Sequence, residues 1–253
     1  MSGGPQQGLV IHGPGGDLVG RLFAAAPGCP GPTVVFAHGV PGIDQPYDLA
    51  VGLREAGWNA VVWHYRGCWG SSGTFSIAGM LSDIAAVVTD LCSGRHPEVD
   101  PGRLVIAGHS FGSWAAITAA LDDPRIRAVA AYGVVPEPSW CEDSLDDLTA
   151  HCVPWLHGIT AAEYLEQYRA IDASQSPVKR IAELAPRPLL LLHGGADTGV
   201  PASDARKLFD RAAQPRELRI HPDADHDFTG ARHWLLAQLT EWLGGAGLGP
   251  AEG

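Results

Sequence analysis

Basic residues are scarce: 17 Lys and Arg stand against 28 Asp and Glu, for a formal net charge of -11. That deficit argues against nucleic acid or an anionic membrane surface as partner, because both are gripped mainly by cationic side chains. No apolar stretch is long enough to span a bilayer, and Met1 to Gln7 has no basic segment leading into an apolar one. The expectation is a cytoplasmic protein with no signal peptide and no membrane partner. Cysteines are few and odd in number (Cys29, Cys68, Cys92, Cys141 and Cys152), with no Cys-x-x-Cys pair, which fits reduced thiols. A bridge between Cys141 and Cys152 would run against that logic. Linker-like stretches and internal repeats are absent too, so residues 1–253, 45% hydrophobic, read as one domain with ample material for a core.

What is present alternates. Strand-like runs at Leu9 to His12, Leu18 to Ala24, Thr33 to Ala37, Asn59 to Trp63, Leu104 to Ala107, Ala128 to Tyr132, Leu189 to Leu192 and Leu218 to His221 are separated, after the first three, by helical patterns. The first two flank Gly13-Pro14-Gly15-Gly16-Asp17, a turn that makes a hairpin; a second strand follows these glycines where a dinucleotide site would need a helix. Helices are expected near Tyr47 to Glu55, along the stripe Met80, Ile84, Val87, Val88 and Leu91, over Trp114 to Leu121, and near Ser203 to Ala213 and Arg232 to Leu243. Unbroken apolar strands alternating with helices imply an α/β fold, its mostly parallel sheet covered on both faces. One segment breaks the rhythm. About 135–177, with Trp140, Trp155, scattered acids and a weak helical pattern near Ala161 to Tyr168, is too long for an ordinary connection and reads as a small helical cap.

Gly108-His109-Ser110-Phe111-Gly112 lies where the strand ending at Ala107 gives way to a helix, which is the setting of a nucleophile elbow. A serine on so tight a turn needs neighbours without side chains, and Gly108 and Gly112 supply them. A serine hydroxyl is a poor nucleophile at neutral pH, so a base is needed and an acid to orient it. Asp197 follows the strand Leu189 to Leu192, and His226, in Asp223-Ala224-Asp225-His226-Asp227-Phe228, follows the last strand. His221 and His233 compete poorly, the first sitting within the strand and the second in a helix. Asp223, Asp225 and Asp227 are alternative orienters, but so close to His226 in sequence they would have to fold back sharply. For the oxyanion, His38-Gly39-Val40-Pro41-Gly42 follows the third strand, which offers the backbone NH of Val40 beside that of Phe111. His193, His221 and His226 lack helical ligand spacing, so no metal and no cofactor are expected. Cys68 sits in a Gly/Ser loop without local thiolate stabilisation.

Together, the elbow, the His-Gly-x-Pro-Gly loop, the Gly-x-x-Asp-x-x-Val-Pro segment around Asp197 and the Asp-His-x-Phe segment resemble the α/β-hydrolase family from about Leu9 to Leu243. The resemblance implies an eight-stranded sheet with Ser110 after the fifth strand, Asp197 after the seventh and His226 after the eighth. His64 to Ser76 is similar to the Arg-Gly-x-Gly-x-Ser-x-Gly loop of small esterases and of the branch related to prolyl oligopeptidase, one residue longer here, with Trp69 placed to line a pocket. With no propeller expected ahead of the catalytic region, a dedicated oligopeptidase is the weaker reading. The elbow carries serine where dienelactone hydrolases have cysteine and haloalkane dehalogenases aspartate, and the Gly-Gly-Gly run of hormone-sensitive-lipase-like esterases is missing. The expected activity is a serine hydrolase acting on a small to medium ester or thioester, with Trp69, Trp140 and Trp155 as candidate substrate contacts. Alternatives are an amide-cleaving, aminopeptidase-like enzyme using Glu142, Asp143, Asp146 or Asp147 to hold an amino group, and an acyltransferase, cyclase or ligand-binding protein on the same fold.

Overall fold

A computed structural model describes residues 6–43, 45–136, 145–171 and 175–250. The chain opens with a hairpin, β1 (Gln6–Gly13) and β2 (Gly16–Phe23), paired antiparallel with Gly13 opposite Gly16. There follow β3 (Gly31–Ala37), α1 (Tyr47–Glu55), β4 (Asn59–Trp63), α2 (Ile77–Leu91), β5 (Val99–His109), α3 (Phe111–Asp122) and β6 (Ile126–Tyr132). Strands lie in the order β1-β2-β4-β3-β5-β6 and continue through β7 (Leu189–Gly194) to β8 (Arg216–His221), parallel from β4 onward. The eight-stranded, mostly parallel sheet is the one the sequence implies.

Strand periodicity splits the core in two. Val35 and Ala37 point to one face, which α2 and α3 cover through Met80, Ile84, Val87, Trp114 and Ile117. Val34 and Phe36 point to the other, covered by Leu49 and Leu53 of α1 and by Leu235, Leu239 and Trp242 of the last helix, Arg232–Gly245. With both faces dry, strands such as β3, β4 and β7 are largely apolar rather than alternating, with polar residues only near their ends, and each fully buried aliphatic adds about 1.5–3 kcal/mol. The helical stripe expected on α2 is buried as a unit. Among the described residues no helix is long and apolar enough to cross a membrane.

The insertion between β6 and β7 holds α4 (Leu145–Cys152), a 3-10 turn at Val153–Trp155, α5 (Ala161–Arg169), α6 (Pro177–Arg180) and a second 3-10 turn at Ile181–Leu184. Only α5 was legible as helix beforehand, and a capping box starts it: the Thr160 NH donates to Glu163 at 2.8 Å and the Glu163 NH to Thr160 Oγ1 at 3.3 Å. The other pieces are too short to develop a 3.6-residue period. Tyr164 stacks on Phe75 and Tyr168 lies 5.9 Å, ring to ring, from Phe111, so the insertion packs over the residue after Ser110. After β7 come α7 (Ala202–Arg211), β8 and α8, the Arg232–Gly245 helix.

Candidate active site

β5 ends at His109 and α3 begins at Phe111, leaving Ser110 alone to make the turn at φ 52 and ψ -129. A serine held there costs about 1–3 kcal/mol, so its surroundings must over-determine it. They do so partly by excluding side chains: a Cβ on Gly108 would lie 2.7 Å from Ser113 Cα, and one on Gly112 would lie 2.7 Å from the His38 carbonyl carbon. The Ser110 NH donates to the Tyr132 carbonyl at 3.0 Å, and its own carbonyl accepts from the Ser113 NH at 2.8 Å.

The loop after β8 brings His226 to this turn. The Ser110 hydroxyl donates to His226 Nε2 over 2.9 Å, and His226 Nδ1 donates to Asp197 Oδ2 over 2.7 Å. Asp197 stands in the loop after β7 with its side chain wholly buried. Its Oδ1 accepts from the NH groups of Gly199 (2.9 Å) and Val200 (2.8 Å). Burial alone would raise the Asp197 pKa, but hydrogen bonds from His193, His226 and the Val200 NH outweigh it and hold the carboxyl well below its ordinary range. Burial likewise works against a charged His226. The hydrogen bond and charge of Asp197, with Asp227 and Asp225 nearby, reverse that and lift its pKa above 6.5. Asp223, Asp225 and Asp227 do not orient the ring by themselves. Asp225 accepts from the Thr229 NH at 2.7 Å, and Asp227 lies 3.7 Å from His109 Nε2.

Two histidines to which the sequence reading gave no part in the site, His193 weighed only as a metal ligand and His109 only as an elbow residue, complete the framework. His193, fully buried at the end of β7, accepts the Val134 NH on Nδ1 (3.1 Å), which leaves Nε2 to donate to the Val200 carbonyl (2.9 Å) and to approach Asp197 Oδ2 at 3.4 Å. It therefore ties the end of β6 to the loop that carries the acid. His109 donates from Nε2 to the His226 carbonyl (3.1 Å) and stacks on Tyr132. Burial, with the His226 charge, lowers its pKa to about 3. The available signal was positional: each is a polar residue close behind an apolar run, Leu104 to Ala107 for His109 and Leu189 to Leu192 for His193. His109, His226 and Asp227 present ligand-type atoms within 4.8 Å of one another, but the histidine nitrogens that face this site are engaged in the hydrogen bonds just given.

The His38 to Gly42 loop lies against Ser110: a Cβ on Gly39 would be 3.0 Å from Ser110 Cβ. His38 donates from Nδ1 to the Gly39 carbonyl (2.6 Å) and accepts the Tyr65 NH on Nε2 (3.3 Å), and burial lowers its pKa to about 3. Val40 follows in this loop, and Phe111 is the first residue of α3, whose opening NH groups have no partner within the helix. Gly39 to Ile43, with His109, Ser110, His226 and Asp227, line a cleft of about 190 Å³. Trp69 and Trp155 are not among the residues lining it; they stack on each other 5.3 Å apart, and Trp69 meets the cleft wall where its indole NH donates to the Pro41 carbonyl, while Trp140 and Cys141 lie outside the described residues. Cys68 is buried, and burial pushes its thiol up to about 12, so it supplies no thiolate here.

The profile of the prolyl oligopeptidase family matches residues 49–246. The uncharacterized protein YfhR of Escherichia coli is 32% identical over 207 residues, covering 79% of this chain, which spans 65% of YfhR. The lysophosphatidylserine lipase of Danio rerio is 28% identical over 203 residues, covering 75% of this chain and 50% of the lipase. Among solved structures an esterase of Pyrococcus furiosus superposes with a TM-score of 0.77 at 17% identity, covering 96% of this chain and 91% of that one, which is a likeness of fold. A profile match over most of the 253 residues, on an eight-stranded sheet of this order, places the chain in the prolyl oligopeptidase family, with the α/β-hydrolase fold.

Proposed function

We propose that the protein is a serine hydrolase that cleaves a small to medium carboxylic ester or thioester through an acyl-enzyme. The observation that carries this reading is the unbroken hydrogen-bond chain Ser110, His226, Asp197, at 2.9 and 2.7 Å. As Ser110 Oγ attacks the substrate carbonyl, His226 Nε2 takes its proton, and the buried Asp197 carboxylate stabilises the imidazolium and fixes its tautomer. The NH groups of Val40 and Phe111 are the proposed oxyanion donors, each worth about 3–4 kcal/mol of barrier. His226 then protonates the leaving alcohol or thiol, and a water activated by the same ring releases the acid. No cofactor enters these steps.

Ser110→Ala is expected to abolish turnover of p-nitrophenyl acetate and labelling by a fluorophosphonate while leaving the thermal midpoint within about 2 °C. Full activity in that variant would overturn the assignment. A second reading, amide cleavage, is favoured by the family match, because that family is named for a peptidase. Of the acids that could hold an amino group, Glu142 and Asp143 lie outside the described residues and Asp146 is exposed. Turnover of an aminoacyl anilide at a rate equal to the ester would favour it.

A further inference from the structure

The cleft at Ser110 is small. Its volume of about 190 Å³ is below the roughly 300–1,000 Å³ of pockets that enclose a drug-sized ligand, and it opens to solvent, so it holds a short acyl group without enclosing a larger substrate. The rest of any larger substrate must lie on the adjoining surface, and what adjoins is aromatic. Trp69 is 40% and Trp155 50% exposed, and their rings stack 5.3 Å apart within 20° of parallel.

This pair is held in place. Trp69 belongs to the loop between β4 and α2, and Trp155 to the 3-10 turn after α4. The two segments are joined by main-chain hydrogen bonds, from the His157 NH to the Gly67 carbonyl (2.8 Å) and from the Phe75 NH to the His157 carbonyl (2.9 Å). Trp69 adopts φ 43, a left-handed backbone that it shares among described non-glycine residues with Ser110 and Phe228 only. Its indole NH donates to the Pro41 carbonyl at 2.8 Å, and Pro41 itself lines the Ser110 cleft. The one polar atom of the ring is thus consumed by the cleft wall, and only apolar faces are left to solvent. An unfavourable backbone that exposes a rigid aromatic surface, rather than burying it, is what a docking site requires.

On the serine-hydrolase reading of Ser110, we propose that Trp69 and Trp155 form a ledge for the uncharged aryl group of an ester whose short acyl group occupies the cleft. Trp69, Trp155, Pro41 and Ile43 bring no charge to this surface, and the net charge of -11 opposes an anionic substrate. A flat, apolar alcohol matches both features, stacking on the indoles while its carbonyl reaches Ser110.

The test compares 2-naphthyl acetate with ethyl acetate in the wild type, Trp155→Ala and Trp69→Phe. Trp155→Ala should lower the preference for the naphthyl over the ethyl ester about 3- to 10-fold, through KM rather than kcat. Trp69→Phe, which keeps an aromatic face, should lower it less. An unchanged preference in Trp155→Ala would overturn the ledge. Binding of 2-acetonaphthone, an unhydrolysable ketone of similar shape, to Ser110→Ala separates the two readings. If no ester is turned over yet Trp155→Ala weakens that binding, the hydrolase reading fails and the ledge stands. If esters are turned over and binding is indifferent to Trp155→Ala, the ledge fails alone.

Discussion

Burial keeps His38 and His109 neutral, lowering both pKa values from 6.5 to about 3 against the opposing pull of a hydrogen bond from one ring nitrogen to a carbonyl. The unfolded chain therefore binds protons that the folded one refuses, so stability is full above about pH 6.5 and falls as pH drops towards 3. Each group loses about 1.4 kcal/mol per pH unit in that window. His226 acts in the opposite sense. Its raised folded pKa adds stability below the unfolded value, which is lost as pH rises through the folded one. Asp197, with a depressed pKa, begins to lose its contribution only as pH falls below 3.8. His64, lowered by burial to about 4, adds to the loss, so the net expectation is an unfolding free energy lower at pH 5 than at pH 7.5 by a few kcal/mol. Urea titrations at the two pH values check it, and equal midpoints would refute neutral burial of these rings.

At the level of elements, most of the architecture was legible because burial on both faces turns a strand into an unbroken apolar run. Thr33 to Ala37, Asn59 to Trp63 and Leu189 to Leu192 announce themselves in this way, and turn residues mark where they stop. The front of β5 did not: Asp100-Pro101-Gly102-Arg103 reads as a charged turn, is at least partly exposed, and the pairing with β3 there is irregular. Asp197 and His226 could be picked out from their order after the strands, whereas His193 could not, since its hydrogen bonds run to Val134 and Val200, remote or irregular in sequence. Asn59 is a similar case. It opens β4 wholly buried, donating to the carbonyls of Gly31 (3.3 Å) and Glu98 (2.6 Å) and to Thr33 (3.2 Å), while accepting from the Ala25 NH (2.9 Å). Asn59→Leu keeps the volume and orphans several of these groups, so it should cost about 2–4 kcal/mol. A urea midpoint unchanged by the substitution would show that the clasp is dispensable.

Across the whole molecule, the proposed catalytic groups leave one edge of the sheet on separate connections, so the insertion between β6 and β7 can reshape the substrate surface without supplying any of the three. Their supports are not equal. Ser110 rises from β5, which has a parallel neighbour on either side, whereas His226 follows β8, the last strand of the sheet and a largely half-buried one. Gentle warming that frays this rim would ungear the base from a nucleophile whose own scaffold is still intact. Inactivation should then outrun melting, with hydrolysis declining a few degrees below the midpoint at which tryptophan emission reports loss of the interior. Coincident curves would mean that rim and centre give way as a single body.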